Sequence, residues 1–384
     1  MKQKENEPYE YKAREIENME DRAFRFGEGK ISGAISCFLG VLSFLGVLCY
    51  KFPAYLTVTE LRAGYDHEML RNVLMYSMWA SLIFGLFTFV MGKQRKLGAI
   101  GVLFACAAFA IGGYSVEPGN VGENQLSLGL DWLILALLAS VILFTFLEKV
   151  FPKYKEQAIL RPEWQLDLAY FSVNHLAFAL LLLIGNYFTS TVFGWAANAD
   201  LQQFVQNLPL GLQVILLVIC ADFVLYWSHR MFHENPKLWK IHAVHHSVEH
   251  MDWLAGSRNH IMQTVMDRSI AMIPLYLIGP DKAALDIYVD FAGLQAVLVH
   301  ANLGIPFGPL KYIFCTPQYH HWHHSSEAPA IDTNYAVHLP VFDMIFGTYH
   351  MPSKHWPAHY GTTIRLPRTY MKQFFYPFRR RKKK

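Results

Sequence analysis

Six apolar runs lie in the first 230 residues, at about 31–50, 72–91, 97–114, 132–147, 168–188 and 210–227. Each approaches the roughly 20 residues an α-helix needs to cross the hydrocarbon layer of a bilayer, the third and fourth being marginal in length. In lipid every backbone polar group must be satisfied within its own segment, so helices are the predicted form. Residues 261–278 and 282–303 predict two further apolar helices joined by Gly279-Pro280-Asp281, with Asp281 as the cap of the second. That pair suits a hairpin dipping into the bilayer. The pattern therefore predicts an all-α, multi-pass membrane bundle.

Polar residues inside the runs are few. Ser36 and Gly40, spaced i,i+4, would let the first helix approach a neighbour closely. Asn174 and His175 fall within the fifth run and are expected to make an interhelical hydrogen bond. The loop 92–96 (GKQRK) and the stretch carrying Lys149, Lys153, Lys155 and Arg161 are basic, whereas 115–131 and 189–209 hold no Lys or Arg. The excess of cations on cytoplasmic loops then places the N-terminus and the end of the sixth run on the cytoplasmic side. Loop 51–71, with Lys51, Arg62 and Arg71, runs against this alternation.

Composition agrees with a membrane protein: 53% hydrophobic and 17% charged residues, with a mean hydropathy of +0.18. The net charge of +4 fits cytoplasmic loops and anionic headgroups better than nucleic acid. Residues 1–30 are polar and predict a partly helical cytosolic segment with no secretory signal peptide. The five cysteines form neither a CxxC nor a disulfide pattern.

The chemistry is concentrated in one stretch. Sixteen of the 18 histidines fall within 229–359. They include His229-Arg-Met-Phe-His233, His242-Ala-Val-His245-His246 and His320-His321-Trp-His323-His324. Imidazoles three or four residues apart share a helix face, so each cluster can bring neutral nitrogens to one point. Eight such residues exceed the needs of one tetrahedral zinc and suit two metal ions with open positions. His300 and His260 are further candidates, the alternative being packed core histidines. His350, His355 and His359 lack helical spacing and read as surface residues. Asp222, seven residues before His229, shares its helix face and can orient a ligand ring through the second ring nitrogen. The alternative role is a helix-packing hydrogen bond. Pro236 lets the chain turn, so that 242–246 folds back towards 229–233.

Four segments carry a family resemblance: Asp222-Phe-Val-Leu-Tyr-Trp-Ser-His229-Arg230, Leu238-Trp-Lys-Ile-His242-Ala-Val-His245-His246-Ser247, Thr316-Pro-Gln-Tyr-His320-His-Trp-His323-His324-Ser325 and Asp343-Met-Ile-Phe-Gly347-Thr-Tyr349. They resemble the sterol desaturase / fatty acid hydroxylase superfamily of membrane di-iron oxygenases, over roughly 130–350. The resemblance implies eight ligands, His229, His233, His242, His245, His246, His320, His323 and His324, with His300 where the family tends to have another histidine. His321 stands at a variable position. Asn334-Tyr335-Ala336 departs from the Asn-Tyr-Gly of many members.

The domains expected are a cytosolic segment (1–30), an N-terminal transmembrane extension (31–127), a catalytic domain (128–350) with a cytoplasmic histidine-rich helical cap, and a basic tail (351–384). The expected activity is O2-dependent hydroxylation or desaturation of a membrane lipid, sterol, fatty acyl or related, at a C–H bond by two Fe ions. The absence of a GxGxxG or CxxC motif points to a separate electron donor of cytochrome b5, ferredoxin or reductase type. The membrane would be the bacterial inner membrane or the endoplasmic reticulum. A metal transporter or sensor is the alternative, although transporters place ligands near the midplane of their spanning helices. A zinc hydrolase is disfavoured because Arg230 stands where HExxH needs its glutamate.

Overall fold

The computed structural model describes residues 29–62, 64–121, 127–352 and 355–379. The cytosolic reading of 1–28 and the cationic end of the tail lie outside these residues. The described residues are helical with no strand, and two isolated bridges, Pro152 with Leu303 and Ser325 with Tyr360, are their only β pairing. Among the described residues five helices are long and apolar enough to cross a membrane: Lys30–Lys51, His67–Met91, Arg95–Ser115, Leu130–Val150 and Leu210–Glu234. The chain divides into two compact units, Met1–Leu135 and Ala136–Lys384.

In the first unit, α1 (Lys30–Lys51), α2 (His67–Met91) and α3 (Arg95–Ala110) pack together. Most of their buried positions are small: Gly33, Ser36, Gly40 and Ser43 on α1; Ser81, Gly85 and Thr88 on α2; Gly98, Gly101, Ala105 and Ala108 on α3, with Val47, Leu74 and Met78 forming an apolar cluster at one end. Large apolar residues point away, with Ile83 63% and Leu103 66% exposed. Small inside and large outside is the pattern of helices packed in lipid, where close backbone approach replaces hydrophobic burial. Ser36 and Ser81 exchange hydroxyl-to-carbonyl hydrogen bonds of 2.7 and 2.8 Å across α1 and α2, so Ser36 and Gly40 do lie at a close helix contact. Asp131, at the start of α4 (Leu130–Val150), accepts from the Val58 amide and the Tyr65 hydroxyl.

The second unit departs from expectation at the fifth run. That run is two helices, α5 (Trp164–Leu176) and α6 (Phe178–Phe193), which meet at Ala177. Asn174 makes the inter-element bond expected of it, donating to the carbonyls of Ser257 and Asn259, but His175 bonds only Phe171 within its own helix. The short α7 (Ala199–Gln206) leads to α8 (Leu210–Glu234). There Asn235 caps α9 (Pro236–His242) by accepting from the Lys237 amide, with Pro236 at the first helical position. The apolar pair forms as α10 (Ile261–Ile278) and α11 (Lys282–Leu298), packed with α8. Gly279 turns between them at φ 59°, in the left-handed region. Asp281 sits at the N-cap of α11, yet its carboxylate accepts from Gln213 of α8 and does not cap. The last histidine box lies on α12 (Pro317–His323), capped by the Thr316 hydroxyl.

Gly101 meets α1 most tightly, since a Cβ there would lie 2.0 Å from Ser36 Oγ. Gly101→Val should therefore destabilise the first unit by at least about 1–3 kcal/mol, while Leu103→Ala stays within roughly 0.5 kcal/mol. Thermal unfolding of the two variants in detergent measures the difference.

Candidate metal centre

Nine histidines converge in two groups. His229, His233, His242, His246 and His323 form one, His245, His300, His320 and His324 the other, and within each group the candidate donor atoms lie within 4.8 Å of one another. The nine are those named from the sequence. The two HxxHH boxes are divided crosswise. His242 and His246 enter the first group and His245 the second, whereas His320 and His324 enter the second and His323 the first. Residues i and i+4 lie almost above one another on a helix and stay together, while the third member faces the other way.

The second nitrogen of most rings is fixed by the protein. Nδ1–H donates to a backbone carbonyl from His229 (Tyr335, 2.7 Å), His245 (Arg258, 3.2 Å), His300 (Ala296, 2.7 Å) and His323 (Thr333, 2.8 Å). His242 Nδ1 donates to Gln263 Oε1 at 2.8 Å, and His233 Nδ1 lies 3.3 Å from Asp332. Because carbonyl oxygens cannot donate, these rings carry hydrogen on Nδ1 and present a bare Nε2 lone pair inward.

Those inward atoms crowd together. Nε2–Nε2 separations are 3.0 Å for His229–His242, 3.1 Å for His242–His246 and 3.0 Å for His246–His323. In the second group they are 3.3 Å for His245–His300, 2.9 Å for His300–His320 and 3.1 Å for both His245–His324 and His320–His324. His233 Nε2 is buried without a partner. Facing lone pairs repel unless a cation lies between them. Protons are disfavoured in that role: burial, reinforced by neighbouring imidazoles, pushes His245, His246, His320, His323 and His324 well below the usual histidine range, and His300 to about 4. A spacing of about 3 Å is the edge between adjacent ligands of an ion with bonds of about 2.1 Å. The donor sets fit metal ions, and all-imidazole sets suit iron, copper, nickel or zinc.

Asp222 is placed differently from the sequence expectation. It does not touch His229; its carboxylate accepts from the backbone amides of Val337, His338 and Leu339 at 2.6–3.0 Å. Asp343 holds the same loop from the other end, accepting from the amides of Tyr335 and Ala336 and from the Tyr319 and Thr348 hydroxyls. Asp222 thus bears on His229 only through the loop whose Tyr335 carbonyl orients that ring. Ala336 takes no positive φ, unlike Asn334 at 60°, so the missing glycine causes no backbone strain.

The other candidates are not brought in. His260 caps α10 and bonds the Phe374 carbonyl. His321 faces away, bonding Tyr360 and the carbonyls of His300 and Ala301. His350 is half-buried, and His355 and His359 are exposed. Several supporting residues escaped sequence reasoning. Gln263 is one. Gly256 is another, where a Cβ would lie 2.8 Å from His300 Nδ1. Arg258 lends its carbonyl to His245 while its guanidinium bonds Asp167 and Glu163.

The model of the fatty acid hydroxylase family matches residues 214–348, the segment that carries all nine histidines. An ornithine lipid hydroxylase of Rhizobium tropici is 30% identical over 259 residues, covering 66% of this chain and 77% of the relative. The chain belongs to the sterol desaturase / fatty acid hydroxylase superfamily. A human alkylglycerol monooxygenase is 35% identical over 129 residues, 34% of this chain and 28% of the relative, so the match spans under a third of that protein. A methylsterol monooxygenase of Arabidopsis thaliana is 24% identical over 186 residues, 48% of this chain and 66% of the relative. These relatives are named as hydroxylases or monooxygenases, that is, as oxidoreductases, of an ornithine lipid, alkylglycerol and methylsterol. No solved structure matches the chain.

Two outcomes test the site. Asp222→Asn removes a carboxylate oxygen and sets an amide against backbone N–H groups, so stability should fall by about 1–3 kcal/mol in thermal unfolding. Acidification gives the second. The folded imidazoles titrate below the unfolded value of about 6.5, so the unfolded chain gains protons first as pH falls. Stability should be full above about 6.5 and decline below it, as melting temperatures between pH 8 and pH 5 would record.

Proposed function

We propose that this protein hydroxylates a C–H bond of a membrane lipid with O2, using two iron ions held by the two imidazole groups. The observation that carries the reading is the pair of converging, buried, all-histidine donor sets at the end of a membrane-length helix. The balance is one C–H bond and O2, with two electrons and two protons, giving C–OH and water. The iron pair, when bound, supplies the O2 activation that no side chain in the chain can. His229, His233, His242, His246 and His323 would hold one ion, and His245, His300, His320 and His324 the other.

The chain's own residues do the rest. The Nδ1 contacts of His229, His233, His242, His245, His300 and His323 hold these six rings in one tautomer, so their donors need no rearrangement when the metals bind. Burial of His245, His300, His320 and His324 keeps water from the oxidising centre. The lipid would enter sideways from the bilayer along the helix layer of α8, α10 and α11. Electrons would come from a separate protein of cytochrome b5, ferredoxin or reductase type. The histidine end is proposed to face the cytoplasm, in the bacterial inner membrane or the endoplasmic reticulum. Relatives named hydroxylase or monooxygenase favour hydroxylation over desaturation, and an oxygenase over a metal transporter.

His245→Ala and His323→Ala each delete a donor from a different group. Both should lower turnover on the order of 100-fold or more. The assay is lipid-stimulated O2 uptake with mass-spectrometric detection of a product 16 mass units heavier. Wild-type uptake in either variant would contradict the assignment.

A further inference from the structure

The two groups differ in what covers them. Among the described residues, the rings packed against His245, His300, His320 and His324 are other histidines of the two groups. The first group also packs against Phe232, Tyr335 and Trp239. Phe232 and Tyr335 are fully buried, whereas Trp239 of α9 is partly exposed. The Trp239 ring centroid lies 5.1 Å from that of His233, 5.4 Å from His246 and 6.1 Å from His242. Of these three rings, Trp239 is the one that meets both solvent and the donor set.

The surroundings of Trp239 carry charge of one sign. α9 starts at Pro236, directly after the membrane-length helix α8 ends at Glu234, so Trp239 stands beyond the end of that helix. Lys237 and Lys240 flank it on α9, and Lys237 is exposed. Lys240 Nζ donates to the Arg379 carbonyl at 3.3 Å, and the turn Tyr376–Phe378 packs on α9. The exposed Arg379 is therefore held beside the same helix, and it opens a run of six cations in the sequence, Arg379 to Lys384. On the other side Glu234 is paired with Arg230, and Asp332 lies 3.3 Å from His233 Nδ1. The balance is cationic.

We infer that the Trp239 face of α9, ringed by Lys237, Lys240 and Arg379, is the docking surface for an acidic one-electron carrier protein, whose electrons reach the first metal group through the Trp239 ring. The inference rests on the two-metal reading above. Each carrier is oxidised by one electron and reduces one Fe(III) to Fe(II), and two such visits supply the pair that turnover needs. Electron transfer falls steeply with the gap to be crossed, and a surface ring packed on three ligand rings leaves the smallest one. Opposite charges steer and orient the encounter without making it tight, which suits a carrier that must leave after each electron. The second group, enclosed by histidines, is reached through the first.

Two measurements on the full-length protein in zwitterionic detergent test this, with the acidic haem domain of cytochrome b5 and an acidic [2Fe–2S] ferredoxin as probes. The first is binding of each labelled carrier by fluorescence anisotropy. The second is anaerobic stopped-flow oxidation of the reduced carrier by the iron-loaded Fe(III) protein, set beside reduction by dithionite. Lys237→Glu/Lys240→Glu should weaken carrier binding about tenfold at low salt, and Lys237→Glu, which leaves the Arg379 contact in place, should weaken it less. The difference should vanish at roughly 0.5 M salt. Trp239→Leu should bind the carrier as wild type does and lose most of its reduction by the carrier, with dithionite reduction and iron content kept. Trp239→Phe, which keeps a ring against the ligands, should recover part of that loss. Carrier transfer at the wild-type rate in Trp239→Leu overturns the proposal, as does a loss shared equally by dithionite. Unchanged binding in the lysine variants at low salt also overturns it, and leaves these cations as contacts for lipid headgroups. If dithionite reduces the wild-type iron and neither carrier does, the docking inference fails and the two-metal reading stands. If the protein binds no iron, both fail.

Discussion

Neutral imidazole nitrogens pressed against one another away from water are the constraint around which the second unit is built. Lone pairs about 3 Å apart gain nothing from contact, and burial denies them the protons that would relieve the repulsion. Cations relieve it, provided the rings cannot swing apart in their absence. The outer hydrogen bonds of the rings meet that condition by fixing tautomer and direction together. On the two-metal proposal, metal binding and folding of this region would be coupled, since ions that bind only the native arrangement stabilise it.

The outer contacts in turn have foundations. Arg161 and Arg258 are fully buried and share Asp167, with Asp252 beyond it, so that Arg258, whose carbonyl holds His245, is tied to α5. Buried charges of this kind are tolerated because each is paired and hydrogen-bonded, and removing one would strand the rest. On the other side, Asp222 and Asp343 collect backbone amides of the 335–339 loop. The first unit needs no such polar network. It is held by close approach of small residues, with Ser36 and Ser81 exchanging bonds across the contact, and by the apolar cluster of Val47, Leu74, Met78, Ala108 and Val116.

Much of this was legible in the sequence. The apolar runs named the long helices, because a bilayer demands both length and uninterrupted hydrophobicity, and box spacing named eight of the nine histidines because helical periodicity puts i and i+4 on one face, His300 being a separate candidate at the end of an apolar run. The break at Ala177 was not legible, since Asn174 and His175 just before it read as polar residues within one continuous run and the bonds of Asn174 come from residues some 80 positions away. The crosswise division of the two HxxHH boxes was hidden for the same reason: it depends on how α9 and α12 meet. Asp222 was singled out for sharing a face with His229, yet backbone amides more than 100 residues distant reach its carboxylate instead. Gln263 and Arg258 left no signal, because a ring's outer nitrogen takes a carbonyl or an amide equally well and no spacing announces which.

The central claim is that each histidine group binds its own iron. Anomalous diffraction from crystals of iron-loaded protein, collected on both sides of the iron absorption edge, addresses it directly. The account predicts two iron peaks, one among His229, His233, His242, His246 and His323 and one among His245, His300, His320 and His324. A single peak, or peaks outside these groups, would contradict it.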